Sequence, residues 1–166
     1  MDIFIRPESP RDHAAIHDVT KRAFAPMPFA DGDEQYLIEK LREAGALVIS
    51  LVAERDGVIV GHIAFSPAFA ADASHGWFAL GPIAVEPGLQ RQGVGRKLIG
   101  AGIQMLRELE AAGCVLVGNP NYYSRFGFKP FPHLAPDDQP AEFFMILPLR
   151  ISEPHVVVGF HSVFKS

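Results

Sequence analysis

The stretch VEPGLQRQGVGRKLIG, residues 85–100, places glycines and basic side chains immediately before an apolar helical pattern. Gly93 and Gly95 carry no side chain, so an anion can approach their backbone amides closely. The first amides of a helix have no intrahelical partner and, together with the helix dipole, favour a phosphate. Three cations add local positive potential: Arg91, Arg96 and Lys97. The pattern therefore predicts a phosphate-binding loop, and a tight turn with solvated basic residues is the simpler alternative.

Side chains at fixed positions disfavour two common nucleotide loops. A Walker A loop needs a lysine directly after its second glycine, but Val94 follows when Gly88 and Gly93 are aligned with that motif. A dinucleotide-binding fingerprint beginning at Gly93 and Gly95 needs a third glycine, and Leu98 occupies its position. A nucleotide-binding protein of either class is therefore the weaker hypothesis.

Composition limits the classes of protein to which the chain can belong. Its 166 residues suffice for one domain with a buried core, and we predict a single domain over residues 1–166. The formal net charge of −4 disfavours nucleic acid as a partner, because that role usually needs a broad basic surface. The lone Cys114 excludes a disulfide framework within the chain and fits a reducing cytosol. We see no signal-peptide pattern and no apolar run of about 18 residues, so we expect a cytoplasmic protein with no membrane partner.

The segment before the loop must supply helices and a strand hairpin. Periodicity and cap residues predict a strand, two helices and two further strands, over residues 2–6, 10–24, 34–44, 47–54 and 58–66. Gly45 is the expected stop of the second helix. Asp56-Gly57 separates the last two strands, and this dipeptide is a strong signal for a hairpin.

The segment around and after the loop has the pattern of a β-α-β unit followed by closing strands. We predict a strand over 76–85, a helix over 94–112 that Gly113 stops, and a strand over 114–117. Asn119-Pro120 is expected to cap a short helix. A proline-rich loop over 130–140 then leads to strands over 143–149 and 156–164, which we expect to form a final hairpin. The mixed order of elements predicts one α/β (α+β) sheet domain.

Two short motifs carry a resemblance to a known family. Gln90-Arg91-Gln92-Gly93-Val94-Gly95 matches [QR]-x-x-G-x-[GA], between an apolar strand and an amphipathic helix, and so resembles motif A of the GCN5-related N-acetyltransferases (GNAT). YYSRFGF, residues 122–128, resembles motif B of that family. The longer phrase LVGNPNYYSRFGF resembles a bacterial branch of predicted N-acetyltransferases, the YhbS-like branch. The resemblance extends from Ile3 to about Leu149.

The resemblance implies both a fold and a co-substrate. The expected fold is a central mixed, mostly antiparallel sheet of about seven strands, with a splayed parallel pair at its middle and about four flanking helices. Acetyl-coenzyme A is the implied acetyl donor, bound between the splayed strands that end at Val85 and Val117, and no metal is expected. The implied coenzyme-binding residues are Ile83, Ala84, Val85, Gln90, Arg91, Gln92, Gly93, Val94, Gly95, Arg96, Asn119 and Tyr123.

The resemblance also implies roles for these groups. Backbone groups of residues 83–85 would bind the pantetheine amides, and the amides of residues 91–96 would hold the pyrophosphate. Tyr123 matches the family tyrosine that acts as general acid on the departing thiolate, and a phenol with a pKa near 10 is protonated at neutral pH. Asn119 matches a position after the second strand that contacts the coenzyme.

The general base is less evident, because the strand over 77–81 has no acid where many family members carry a glutamate. Glu34, on the second predicted helix, is the first candidate for the base. Glu54 and His62 are the next two candidates.

The function that follows is an acyltransferase, an N-acetyltransferase that moves acetyl to a primary amine by direct attack in a ternary complex. The expected acceptor is a small-molecule or peptide amine of unknown identity. An acyl-CoA-binding sensor of the same fold, without turnover, is the alternative. The resemblance leaves a homodimer open, since many relatives dimerise.

Overall fold

The computed structural model of the protein describes residues 2–165. The strands of this part of the chain are β1 (Phe4–Pro7), β2 (Ile49–Arg55), β3 (Val58–Pro67), β4 (Phe69–Ala70), β5 (Trp77–Val85), β6 (Gly113–Val117), β7 (Lys129–Pro130), β8 (Phe144–Pro148) and β9 (Val158–Gly159). The helices are α1 (His13–Phe24), α2 (Glu34–Glu43), α3 (Val94–Glu108) and α4 (Pro120–Tyr123). Among residues 2–165, no helix combines the length and apolar character that crossing a membrane requires.

Seven strands form one sheet in the order β1-β2-β3-β5-β6-β8-β7, and β4 pairs with β9 in a second sheet. Strands β5 and β6 run parallel, with Trp77 opposite Gly113 and Ala79 opposite Val115. The pairs β1-β2, β2-β3, β6-β8 and β7-β8 are antiparallel. The predicted fold, a mostly antiparallel sheet of seven strands with a central parallel pair and four helices, is confirmed.

The chain divides into two compact units. The first comprises the residues up to Phe65 together with Gly81–Ile103, and the second comprises Ser66–Leu80 together with the residues from Gln104 onward. The single domain expected over residues 1–166 stays a prediction.

In the first unit, α1 and α2 are held by an apolar cluster that they share with two strands. Its buried members are Ile16, Val19, Ile38, Val52 and Ile59. Isolated helices of 12 and 10 residues are marginal in water, so burial of these side chains is what stabilises α1 and α2. The predicted hairpin between β2 and β3 is present and turns at Asp56 and Gly57, whose φ angles of 51° and 80° are both positive, as a type I′ turn requires.

Helix α2 ends as the sequence predicts. The amide of Ala46 donates to the Leu41 carbonyl at 2.8 Å, and the amide of Gly45 donates to the Arg42 carbonyl at 3.1 Å. Gly45 has a φ of 69°. These two bonds and the left-handed residue between them form a Schellman motif, for which glycine is the usual residue.

Helix α3 ends at Glu108 and not at Ala112, so the predicted stop at Gly113 is wrong. The same Schellman motif is formed earlier, where the amide of Ala111 donates to Leu106 at 3.0 Å and the amide of Glu110 donates to Arg107 at 3.0 Å. Glu110 adopts the left-handed conformation with a φ of 57°, which a glutamate rarely does.

Gly113 begins β6 instead, and its lack of a side chain serves packing in the second unit. A Cβ added at Gly113 would lie 2.6 Å from Cζ3 of Trp77, so only glycine lets the indole lie against the strand. The indole belongs to the buried apolar cluster of this unit, which also contains Ala79, Val115, Phe144 and Ile146.

The predicted final hairpin is also wrong. β8 has β6 on one side and β7 on the other, so both of its edges are paired and neither can accept another strand. The segment predicted as a strand over 156–164 pairs only through Val158–Gly159, with Phe69–Ala70 of β4. Both β4 and β7 are two-residue strands that the sequence pattern did not indicate.

Candidate functional site

The glycine-rich segment connects the end of β5 to the start of α3, in the first unit. Its backbone is tied to the sheet where it begins, because the Glu86 amide donates to the Val60 carbonyl at 2.8 Å. Pro87–Leu89 form a 3-10 turn, and the following residues Arg91 and Gly93 adopt left-handed φ angles of 64° and 90°. Arg91 therefore holds a conformation that costs a non-glycine residue about 1 kcal/mol or more, which the surrounding structure must offset.

The first turns of α3 have one buried face. Val94 and Leu98 are 1% and 0% exposed. A Cβ added at Gly61 of β3 would lie 3.1–3.2 Å from side-chain carbons of both residues, so the helix lies directly on a strand glycine. The two side chains that rule out the nucleotide loops are thus core residues that fix where α3 begins.

The predicted phosphate-facing side of this segment is accessible. Arg91, Arg96 and Lys97 are exposed, and a Cβ added at Gly93 would meet nothing closer than 3.9 Å. The side-chain Nε2 of Gln90 donates a long hydrogen bond of 3.4 Å to the Val85 carbonyl. The segment therefore exposes helix-start amides and cations, whereas Ala84 is buried in the strand that precedes it.

In the second unit, Asn119 and Tyr123 lie on one short turn of helix. The Asn119 side chain caps α4 by accepting from the Asn121 amide at 2.9 Å, and its carbonyl accepts from the Tyr123 amide at 3.0 Å. Asn119 thus caps a short helix as predicted, and it fixes the helical turn that carries Tyr123.

The ring of Tyr123 lies against Gly118. A Cβ at Gly118 would approach the Tyr123 ring carbons to 2.5 Å, so glycine is required there by the close approach of the ring. The rings of Tyr122 and Phe128 also contact it edge-on, at centroid distances of 5.0 and 5.9 Å. Burial, reinforced by Tyr122, raises the pKa of Tyr123 to about 12, so the phenol carries its proton across the physiological range.

Glu34, the first candidate base, stands at the start of α2 in the first unit. Its carboxylate accepts the amides of Asp31 at 2.9 Å and Gly32 at 3.1 Å, which fixes the turn before the helix. Carboxylate oxygens of Asp31, Asp33 and Glu34 lie within 4.8 Å of one another. Glu34 is half-buried and therefore still reachable from solvent.

The other two candidates have side-chain partners. Glu54 accepts a hydrogen bond from Arg6 at 3.0 Å. His62 is fully buried, and its Nε2 lies 2.8 Å from Oγ of Ser50. Burial lowers the pKa of His62 to about 4, because the nearby charge of Glu8 offsets only part of the cost of charging the ring.

No sequence motif indicated the polar cluster around His62. Ser50 donates its hydroxyl proton to Glu8, so its oxygen must accept from Nε2–H of His62. Nδ1 of His62 then carries the lone pair, and within residues 2–165 this buried atom has no hydrogen-bond partner. Arg42 donates to both oxygens of Glu8, at 2.9 and 3.0 Å. These residues are separated by up to 54 positions in the chain, so no local motif could reveal them.

Comparison with known proteins shows the family of the chain. The family model described as the acetyltransferase (GNAT) family matches residues 10–128. The uncharacterized N-acetyltransferase YhbS of Escherichia coli strain K12 is 36% identical over 128 residues, which cover 76% of this chain and 74% of YhbS. YjhQ, another uncharacterized N-acetyltransferase of that strain, is 36% identical over 121 residues, covering 72% of this chain and 65% of YjhQ.

Two solved structures are similar over nearly the whole chain. A GNAT family acetyltransferase from Brucella melitensis, in complex with acetyl-CoA, is 42% identical, with a TM-score of 0.87 over 98% of both chains. YhbS from Escherichia coli, in complex with CoA, is 30% identical, with a TM-score of 0.88 over 99% of this chain and 92% of YhbS. The predicted family is confirmed, and this chain belongs to the GNAT family of acetyltransferases.

Proposed function

We propose that the protein is an acetyl-CoA-dependent N-acetyltransferase that acetylates a primary amine by direct attack in a ternary complex. The observation that carries the proposal is the segment before α3, where Arg91 and Gly93 hold left-handed conformations and the helix amides begin in an exposed, cationic setting. The two solved structures that are 42% and 30% identical to this chain contain acetyl-CoA and CoA, respectively. A diphosphate is the anion that such a segment suits best.

Binding of a diphosphate to this segment suggests which residues bind the rest of the coenzyme. We assign the pyrophosphate to the amides of residues 91–96, and the pantetheine amides to backbone groups of residues 83–85. The Gln90 side chain would exchange its long bond with the Val85 carbonyl for a contact with the coenzyme. Asn119 would contribute through the helical turn that it caps.

Tyr123 is proposed as the general acid. The acceptor amine forms a bond to the thioester carbonyl carbon, and the carbon–sulfur bond then breaks. The sulfur takes the phenolic proton of Tyr123, and the phenolate recovers a proton from solvent. The pKa of about 12 keeps the phenol protonated at neutral pH, so its O–H is available to the sulfur as negative charge develops there.

Glu34 is proposed as the base that removes the surplus proton from the amine. Its carboxylate is half-buried, and two backbone amides orient it without an arginine partner among residues 2–165. Glu54 is held by Arg6, and His62 is fully buried. Replacing Glu34 with Gln should lower kcat with the acceptor amine, whereas Glu54→Gln should leave kcat largely unchanged.

Release of free thiol from acetyl-CoA, measured with a panel of primary amines, tests the proposal directly. The panel should contain small amines, amino acids and short peptides, since the acceptor class is a small-molecule or peptide amine. Acceptor-dependent release is expected for at least one member. Coenzyme binding with no release for any amine would favour a sensor without turnover, and absence of coenzyme binding would contradict both.

Tyr123→Phe tests the role of the phenol. With the acceptor found in the panel, kcat should fall by about 100-fold, because the general acid is lost, while the affinity for CoA should stay within a factor of about two. Tyr122→Phe is the matched control, since it removes a hydroxyl from the neighbouring ring of the same turn, and it should retain kcat within about three-fold. An equal loss in both variants would contradict the assignment.

A further inference from the structure

An ion pair links helix α1 to the first residue of the proposed coenzyme loop. Arg22 lies in the last turn of α1, and Glu86 directly follows β5. The Arg22 Nε donates to the two Glu86 carboxylate oxygens at 3.0 and 3.3 Å, and its Nη2 donates to one of them at 2.8 Å. The guanidinium therefore grips the carboxylate in the bidentate manner that fixes orientation as well as distance.

Glu86 is held at its backbone as well as at its side chain. Its amide donates to the Val60 carbonyl and its carbonyl accepts from the Leu89 amide, both at 2.8 Å. At the far end of the segment, Val94 is fixed by its packing on Gly61. The left-handed residues Arg91 and Gly93 lie between these two fixed points, so the position of Glu86 bears directly on the conformation of the loop.

The charge of Glu86 is the second reason why the pair matters. A carboxylate at the start of an anion-binding loop repels a diphosphate, and such repulsion acts over a screening length of about 10 Å. Arg22 cancels that charge. Because the Arg22 side chain is 51% exposed, the ion pair contributes little to the free energy of folding. We therefore expect the pair to act mainly on the affinity of the loop for its ligand.

We propose that Arg22 is a positioning residue of the coenzyme loop, which fixes Glu86 and neutralises its carboxylate so that the loop amides are preformed for a diphosphate. The proposal rests on the function proposed above. It assigns to α1, which lies outside the glycine-rich motif, a part in the affinity for the coenzyme.

Calorimetric titration of the full chain with CoA tests the proposal. Arg22→Ala should raise the dissociation constant by about five-fold or more, because it frees Glu86 and leaves its charge unpaired. Arg22→Lys keeps the charge and should recover part of the affinity. In turnover assays, Arg22→Ala should raise the KM for acetyl-CoA and leave kcat within about two-fold, which a general loss of structure would not do.

Two further variants show whether the loss of affinity comes from the unpaired Glu86 carboxylate or from the removal of an arginine in general. Glu86→Gln added to Arg22→Ala should restore about half of the lost affinity on a logarithmic scale, because it removes the unpaired carboxylate. Arg55→Ala is the matched control, since Arg55 is an exposed arginine that pairs with Asp56 in the β2–β3 turn at 3.9 Å. Loss of affinity in Arg55→Ala equal to that in Arg22→Ala would overturn the proposal, and so would unchanged binding in Arg22→Ala. A wild-type chain that does not bind CoA would instead contradict the proposed function.

Discussion

Two arginine–glutamate pairs in the first unit have the same chemistry and differ in their exposure to water. In both, one arginine donates to both oxygens of one glutamate, Arg42 to Glu8 and Arg22 to Glu86. The exposed fractions are 15% for the Glu8 side chain and 29% for Glu86, and 23% for Arg42 against 51% for Arg22. Water screens the second pair far more than the first. We therefore expect the Glu8 pair to act on stability and the Glu86 pair to act on ligand affinity.

The Glu8 pair also differs in the number of groups that depend on it. Besides Arg42, the carboxylate accepts from Ser50, and it lies 3.0 Å from Nε2 of His13. Burial alone would raise the pKa of Glu8, but the hydrogen bonds from Arg42 and Ser50 outweigh that effect and lower it. Loss of this charge would leave several partners unsatisfied, whereas loss of Glu86 leaves only an exposed arginine.

The largest expected effect comes from the titration of His62 at the buried end of the Glu8 cluster. The pKa of this histidine is about 4 in the folded chain against 6.5 as its ordinary value, so the unfolded chain takes up the proton first as the pH falls. The contribution of neutral His62 to the free energy of unfolding is therefore fully present above pH 6.5. It decreases as the pH falls toward 4, where the loss reaches about 3 kcal/mol.

Urea denaturation between pH 7 and pH 4 measures this loss. His62→Asn cannot titrate and should show a flatter dependence in the same window. Asp12, whose pKa is held well below its usual range by the hydrogen bonds from Arg6, contributes only below its ordinary pKa of 3.8 and so does not confuse the comparison. An equally steep dependence in His62→Asn would assign the effect to other groups.

Glu8→Gln should have the next largest effect. The amide keeps the size of the side chain but removes the charge that faces Arg42, His13 and, through Ser50, His62. The free energy of unfolding should fall by about 2 kcal/mol, less than for a fully buried pair because the cluster is partly solvated. Glu86→Gln is the matched control at the exposed pair and should change the free energy of unfolding by less than about 0.5 kcal/mol. Equal losses in the two variants would remove the distinction between the pairs.

The same contrast explains what the sequence could predict. The loop before α3 depends on residues that are adjacent in the chain, so its glycines, cations and helix start are all visible in residues 85–100. The Glu8 cluster unites side chains from four separate segments, and Arg22 reaches Glu86 across 64 positions. Contacts of this kind arise only when the sheet and helices are assembled, and no periodicity marks them.

Helix ends show a related limit. Gly45 and Glu110 occupy the same position of the same Schellman motif, yet only the glycine could be identified in advance. A glutamate in the left-handed region costs about 1 kcal/mol, and the packing of the chain on either side of it must offset that cost. Gly113 misled the prediction because its small size is needed by the Trp77 ring rather than by a turn. Propensity identifies a residue that permits a conformation, whereas packing decides which residue adopts it.

Arg22→Ala should affect stability less than Arg42→Ala, and this makes it the sharpest test of the comparison. Its guanidinium is half-exposed, so removing it should lower the free energy of unfolding by less than about 1 kcal/mol, in contrast to Arg42→Ala, which should cost about 2 kcal/mol. Thermal denaturation of the two variants, with and without saturating CoA, measures both effects at once. Arg22→Ala should lose more of the CoA-induced rise in Tm than of the Tm itself, because the pair acts mainly on the bound state. A larger loss of intrinsic stability in Arg22→Ala than in Arg42→Ala would show that exposure does not decide what these pairs do.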